Sequence, residues 1–166
     1  DDAIDLGAVG DATANTLQLS AVELANVSTD ILRIGQFDAG AITISDAIIP
    51  GSSSLSLVSA GTVTQGGGFT ITVGGLAVRA GGAVTLTEVN DVDTLAVDSS
   101  TGDIQFTDAD EFSVGTIDTV AGVDTDSGAV TLIATTGDLT VTETSALNDI
   151  DATGTVTLTA SRTSAS

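Results

Sequence analysis

The chain has 166 residues, and its 3 arginines against 23 acidic residues, with no Lys, give a net charge of −20. That balance excludes nucleic-acid binding through phosphate neutralisation and opposes contact with anionic membranes. With no Cys there is no disulfide or thiolate metal site, no segment has the ~18 apolar residues of a membrane helix, and the four Phe are the only aromatics, so Val, Leu, Ile and Ala must build the core.

Residues 1–39 read as irregular N-terminal coil. Within them Ser20-Ala-Val-Glu23 has the form of a capping box and predicts a short helix over roughly residues 20–27. Leu32-Arg-Ile-Gly35 then leads into the first regular strand. Over residues 40–166 one phrase recurs: Gly, any residue, apolar, any residue, apolar. It starts at Gly40, Gly61, Gly82, Gly102, Gly128 and Gly154, at intervals of 21, 21, 20, 26 and 26 residues. Apolar residues two apart have the period of a strand, and helical spacing is nearly absent.

A second apolar pair follows each phrase: Leu55/Leu57, Ile71/Val73, Leu95/Val97, Phe112/Val114 and Leu139/Val141. Some copies add a third piece, such as Leu76/Val78, Ile117 or Leu147/Ile150. Two or three short strands per 20–26 residues, joined by Gly, Asp, Asn and Ser turns, predict one coil of an all-β parallel β-helix. Val84, Leu86, Val130, Leu132, Val156 and Leu158 should then form inward columns, with Thr85, Thr131 and Thr157 outside. The competing fold, an antiparallel sandwich, needs longer paired strands and tight hairpins. Gln65 breaks the inward pattern, and the following Gly66-Gly67-Gly68 suggests a bulge there. Neither end carries an evident cap, so a single solenoid domain is expected, as an excerpt or processed product of something longer, whose open ends continue into further coils or stack on another copy.

With no His, Lys, Cys or Tyr, most general bases and nucleophiles are missing, and the chain reads as non-catalytic, with no catalytic or cofactor-binding residue. The acids suit calcium better, since that ion takes six to eight oxygens from carboxylates, amides and carbonyls. Candidate turns are Asn90-Asp91-Val-Asp93, Asp108-Ala-Asp110-Glu111, Asp124-Thr-Asp126 and Asn148-Asp149-Ile-Asp151, with Asp108, Asp110, Glu111, Asp124 and Asp126 as the candidate ligands. None matches an EF-hand loop or a glycine-rich calcium-binding nonapeptide. Outward Thr pairs such as Thr62/Thr64 and Thr155/Thr157 read as ordinary strand surface.

Leu17-Gln-Leu-Ser-Ala-Val-Glu-Leu24, Ile31-Leu-Arg-Ile-Gly35, Gly40-Ala-Ile-Thr-Ile-Ser45, Gly82-Ala-Val-Thr-Leu-Thr87 and Gly128-Ala-Val-Thr-Leu132 resemble the repeats of filamentous-haemagglutinin-like bacterial exoproteins. The resemblance covers roughly residues 17–160, and its motifs are of low complexity. It implies a right-handed β-helix, as the general bias of parallel crossovers also does. It further implies an extracellular or cell-surface adhesin of the two-partner-secretion kind, in which this segment is a shaft or filament. The alternative is an adhesive or calcium-bridged module on the turns. The implied partners are other copies or coils of the chain, and a host or cell-surface receptor or glycan. The acidity is a departure that the motif does not require.

Overall fold

The computed structural model describes residues 2–10, 13–142 and 149–161. Strand β1 (Ala3–Gly7) is followed by β2 (Thr16–Ser20), the one-turn helix α1 (Ala21–Ala25) and β3 (Ile31–Gly35). Then come β4 (Ile42–Ile44), β5 (Ser54–Ser59), β6 (Val63–Gln65), β7 (Thr72–Ala80) and the long β8 (Val84–Ser99). The remainder holds β9 (Ile104–Asp108), β10 (Phe112–Val114), β11 (Thr116–Ile117), β12 (Val120–Ala121), β13 (Val123–Thr125), β14 (Val130–Ala134), β15 (Leu139–Val141), β16 (Ile150–Ala152) and β17 (Val156–Ala160). No described helix is long and apolar enough to cross a membrane.

The recurring phrase of the sequence becomes one all-parallel, curled sheet of eight strands in the order β17-β14-β9-β8-β6-β4-β1-β2. Its register places Leu17, Ile4, Ile42, Val63, Val84, Ile104, Val130 and Val156 in one column. The column is buried from Ile4 to Val130, while its two ends, Leu17 and Val156, are 49% and 42% exposed. Each interior side chain leaves water entirely and contributes on the order of 1.5–3 kcal/mol. Among the described strand pairs only β11 and β12 are antiparallel, which removes the sandwich alternative.

A second parallel ladder runs β3-β5-β7-β8, using the latter half of β8. Here the in-phase partner of Leu55/Leu57 is Leu76/Val78, which pairs onward with Leu95/Val97. The pair Ile71/Val73 belongs to a separate piece, since Ile71 bridges Ile48 and Val73 faces Val92. Past β8 the ladder divides: β10 pairs with Thr94 and Leu95, and β13 with Val97 to Ser99. The next repeat follows with β15 on β10 and β16 on β13. The excursion between β10 and β13 accounts for the lengthening of that interval from about 20 residues to 26.

Strands β1, β2 and β3 join these same ladders, in an order the sequence did not indicate. The chain enters at β1, moves outward to β2, and returns beneath β1 as β4. Helix α1 follows β2, with the Ser20–Glu23 capping box formed and Leu24 buried in the core. The helix packs beside β2, yet Leu17 at this end of the column stays 49% exposed.

Gln65 also finds its explanation here. Asn90 is buried at an irregularity of β8, where the register shifts between Leu86 and Asn90. Its Oδ1 accepts from Gln65 Nε2 at 2.7 Å and from the Ile71 N–H at 2.9 Å. Its Nδ2 donates to the carbonyls of Glu88 and Thr107 at 2.9 and 3.0 Å. Gln65 completes this polar corner by accepting the Glu88 N–H at 3.2 Å. Buried amides so paired avoid the desolvation cost of an unsatisfied group.

Candidate functional sites: acidic turns and a strapped face

The predicted calcium ligands fall on different ladders. Asp108 ends β9, opposite Asn90, and is fully buried. Its Oδ2 accepts the Val92 N–H at 3.0 Å and its Oδ1 the Asp110 N–H at 3.1 Å. Burial pushes this carboxyl up to about 7, and the two backbone hydrogen bonds only partly oppose the shift. Asp108 thus faces inward and fastens the corner. The Asn90-Asp91-Val-Asp93 segment is likewise no turn, since it lies within β8. Asp110 and Glu111 are exposed, and Glu111 lines an open hollow of about 460 Å³ with Asp93, Asp138 and Thr140.

Asp124 lies in β13, between Asp98 of β8 and Asp151 of β16 in strict register. Paired strands stand about 4.8 Å apart, so these acids form a short outward column. Burial raises the Asp124 carboxyl, and the charges of Asp151, Asp126 and Asp98 raise it further. Two full charges at this spacing repel by about 0.9 kcal/mol in water. Asp126 is exposed beside the column, and Asn148 of the fourth candidate turn is outside the described residues. Among the described residues no three acidic side chains converge to hold a metal ion.

The feature that the sequence did not disclose is the excursion itself. Between Gly115 and Gly122, whose backbone closes at 2.9 Å, the chain forms the β11–β12 hairpin. The left-handed residues Asp118 (φ 47°) and Thr119 (φ 65°) make its tip. It lies over the outer face of the second ladder, where Ile117 and Val120 form a separate apolar cluster with Ala77 and Ala96. Those alanines stand in one outward column, Arg33–Ser56–Ala77–Ala96. Its small side chains leave the room that the hairpin occupies, which explains why β5, β7 and β8 are buried on both faces there.

Arginines fasten the tip. Arg33 clasps the Asp118 carboxylate with Nε, at 2.8 Å, and with Nη2. Arg79 donates to the Asp118 carbonyl at 3.3 Å and to Thr119 Oγ1 at 2.9 Å. The Arg33 hydrogen bond is the chief reason that the Asp118 carboxyl lies below the ordinary range, with Ser56 assisting. Two sequence signals pointed this way: the lengthened interval, and a chain that holds so few cations.

Comparison with protein-family models, curated proteins and solved structures finds no match to this chain.

Proposed function

We propose that the two ladders are the faces of a right-handed β-helical shaft, part of a filamentous-haemagglutinin-like protein at the bacterial surface or outside the cell. On this reading its role is structural and non-catalytic. The observation that carries it is the set of apolar columns, buried inside and half-exposed at their ends, Leu17 on β2 and Val156 on β17. Val156 and Leu158 of β17 are 42% and 47% exposed, yet they continue columns whose previous members, Val130 and Leu132, are wholly buried. Among the described residues no strand pairs with the outer edge of β17, which offers its backbone groups. Such an end suits one more winding, supplied by further chain or by a second copy.

The test is sedimentation and electron microscopy of the protein beside its Leu158→Asp variant. Concentration-dependent rods of doubled length, lost in the variant, are expected. Single particles of one length at every concentration, in both proteins, would remove end-to-end stacking.

A second reading, a calcium-bridged adhesive module, draws its support from the Asp98–Asp124–Asp151 column, whose repulsion bound cations would relieve.

A further inference from the structure

The first ladder has two outer edges. Among the described residues β2 pairs with β1 alone, and β17 with β14 alone. Both edges leave column residues in part exposed: Leu17 on β2, and Val156 and Leu158 on β17, while Leu19 is half-buried. Neither strand holds an acid, in a chain of net charge −20. Their backbone groups also match. N–H and C=O groups point alternately to the two sides of a strand. The Ala3 N–H donates to the Asn15 carbonyl, a pattern that turns the groups of Leu17 and Leu19 towards β1 and those of Thr16 and Gln18 outward. The Val130 N–H donates to the Thr155 carbonyl, which by the same alternation turns the groups of Val156 and Leu158 outward. Strands β1 and β2 carry the first ladder beyond β3, the outermost described strand of the second, so the first ladder presents the edge.

We propose that copies of this protein join head to tail, the edge of β17 adding in parallel to the edge of β2 on a second copy, with Val156 against Leu17 and Leu158 against Leu19. This rests on the shaft reading and adds to it the partner edge, the register and the polarity. The register is the one used inside the chain, where Val156 and Leu158 stand against Val130 and Leu132, and Leu17 and Leu19 against Ile4 and Leu6. In it the N–H groups of Val156 and Leu158 donate to the carbonyls of Thr16 and Gln18, and the Gln18 N–H donates to the Val156 carbonyl. A slip of one residue turns the backbone groups away from each other and sets Leu17 and Leu19 against outward threonines. The Ser20 N–H is already held by Glu23 Oε2 at 2.9 Å, so the joint ends there. Two β17 edges facing each other would pair antiparallel and bring both Asp98–Asp124–Asp151 columns to the joint, like charge towards like. A head-to-tail contact is heterologous and leaves a fresh edge after each addition, so the product is an open filament rather than a closed dimer.

The experiment is sedimentation velocity on the intact protein, on Leu17→Asp, on Leu158→Asp and on an equimolar mixture of the two variants. Protein is taken up to about 1 mM, in about 1 M NaCl to screen the acidic flanks. Both substitutions fall on half-exposed side chains, and circular dichroism checks that each variant is folded. The parent should grow from dimers to longer rods with concentration, and each variant alone should associate at least about tenfold more weakly. The mixture should restore dimers and stop there, because Leu17→Asp contributes a sound β17 edge and Leu158→Asp a sound β2 edge. In a second measurement, a short bismaleimide should couple Gln18→Cys/Thr157→Cys into a series of multimers and leave Thr157→Cys alone as single chains. A parent that stays monomeric throughout would remove stacking altogether, and this joint with it. Dimers that survive Leu17→Asp, vanish in Leu158→Asp and are not restored by mixing would overturn the head-to-tail joint and leave stacking through β17 in place. Association that neither variant weakens would put the contact elsewhere and overturn the proposal as well.

Discussion

Leu132 and Leu158 are the same residue type in the same column one repeat apart, with Phe106 on the other side of Leu132. Leu132 is wholly buried and Leu158 is 47% exposed. Truncating Leu132 to Ala removes its transfer free energy and leaves a hole between two registered neighbours, a loss of about 2–5 kcal/mol. Truncating Leu158 removes a side chain already half in water and leaves no enclosed cavity, so the loss should stay below about 1 kcal/mol. Leu132→Asp would cost more than Leu132→Ala, because an uncompensated charge enters a dry interior. Urea unfolding followed by circular dichroism at 218 nm, a strand wavelength set by the assay, measures all three at a protein concentration low enough to prevent association. Equal losses for Leu132→Ala and Leu158→Ala, or a Leu132→Asp protein as stable as the parent, would refute the layered packing.

Asp108 gives a pH signature. Its carboxyl sits at about 7 in the folded chain against an ordinary 3.8, so folding favours its protonated form. Stability relative to Asp108→Asn should therefore fall as pH rises from about 4 through about 7 and then level off, by a few kcal/mol and about 4 at most. Unfolding of both proteins from pH 4 to 8 checks this, and a flat difference contradicts it. Asp118 has the opposite sign, because Arg33 lowers its carboxyl. The clasp should persist through neutral pH and release in strong acid, and Arg33→Gln should speed amide exchange at Ile117 and Val120 at pH 7 while leaving exchange at Leu132 unchanged. Ala96→Leu fills the hairpin's seat and should cost about 1–3 kcal/mol by overpacking, measured by urea unfolding. Millimolar calcium should raise the melting temperature only modestly, since no three acids converge among the described residues; a rise of tens of degrees would show a built site.

How far the sequence disclosed this architecture can be read from particular residues. The phrase at Gly82, Gly128 and Gly154 carries strand period and phase together, so Val84, Val130 and Val156 could be assigned to one column before any coordinates. Ser20 and Glu23 likewise announce α1, because a capping box is a local device. Long-range choices left weaker marks. That β1 lies between β2 and β4 depends on which strand edges remain free, and no neighbouring residue encodes that. Leu76/Val78 could not be ranked above Ile71/Val73 as the partner of Leu55/Leu57, since both have strand period. The acids misled in one respect: Asp108 has the same sequence surroundings as an exposed turn acid, and only the fold reveals that its oxygens accept N–H groups from Val92 and Asp110. The hairpin was concealed because Ala77 and Ala96 resemble ordinary strand alanines until the register aligns them.

The in-phase parallel stacking of the repeats is tested most directly by distances along one outward column. Thr43, Thr64, Thr85, Gln105, Thr131 and Thr157 stand in consecutive register, and the chain has no native Cys to interfere with labelling. Spin labels on Thr43→Cys paired with Thr131→Cys, and on Thr43→Cys paired with Thr157→Cys, should give narrow distributions near 19 and 24 Å, a step of about 4.8 Å per repeat. Distances that fail to grow between the two pairs, or that spread over tens of ångströms, would contradict it.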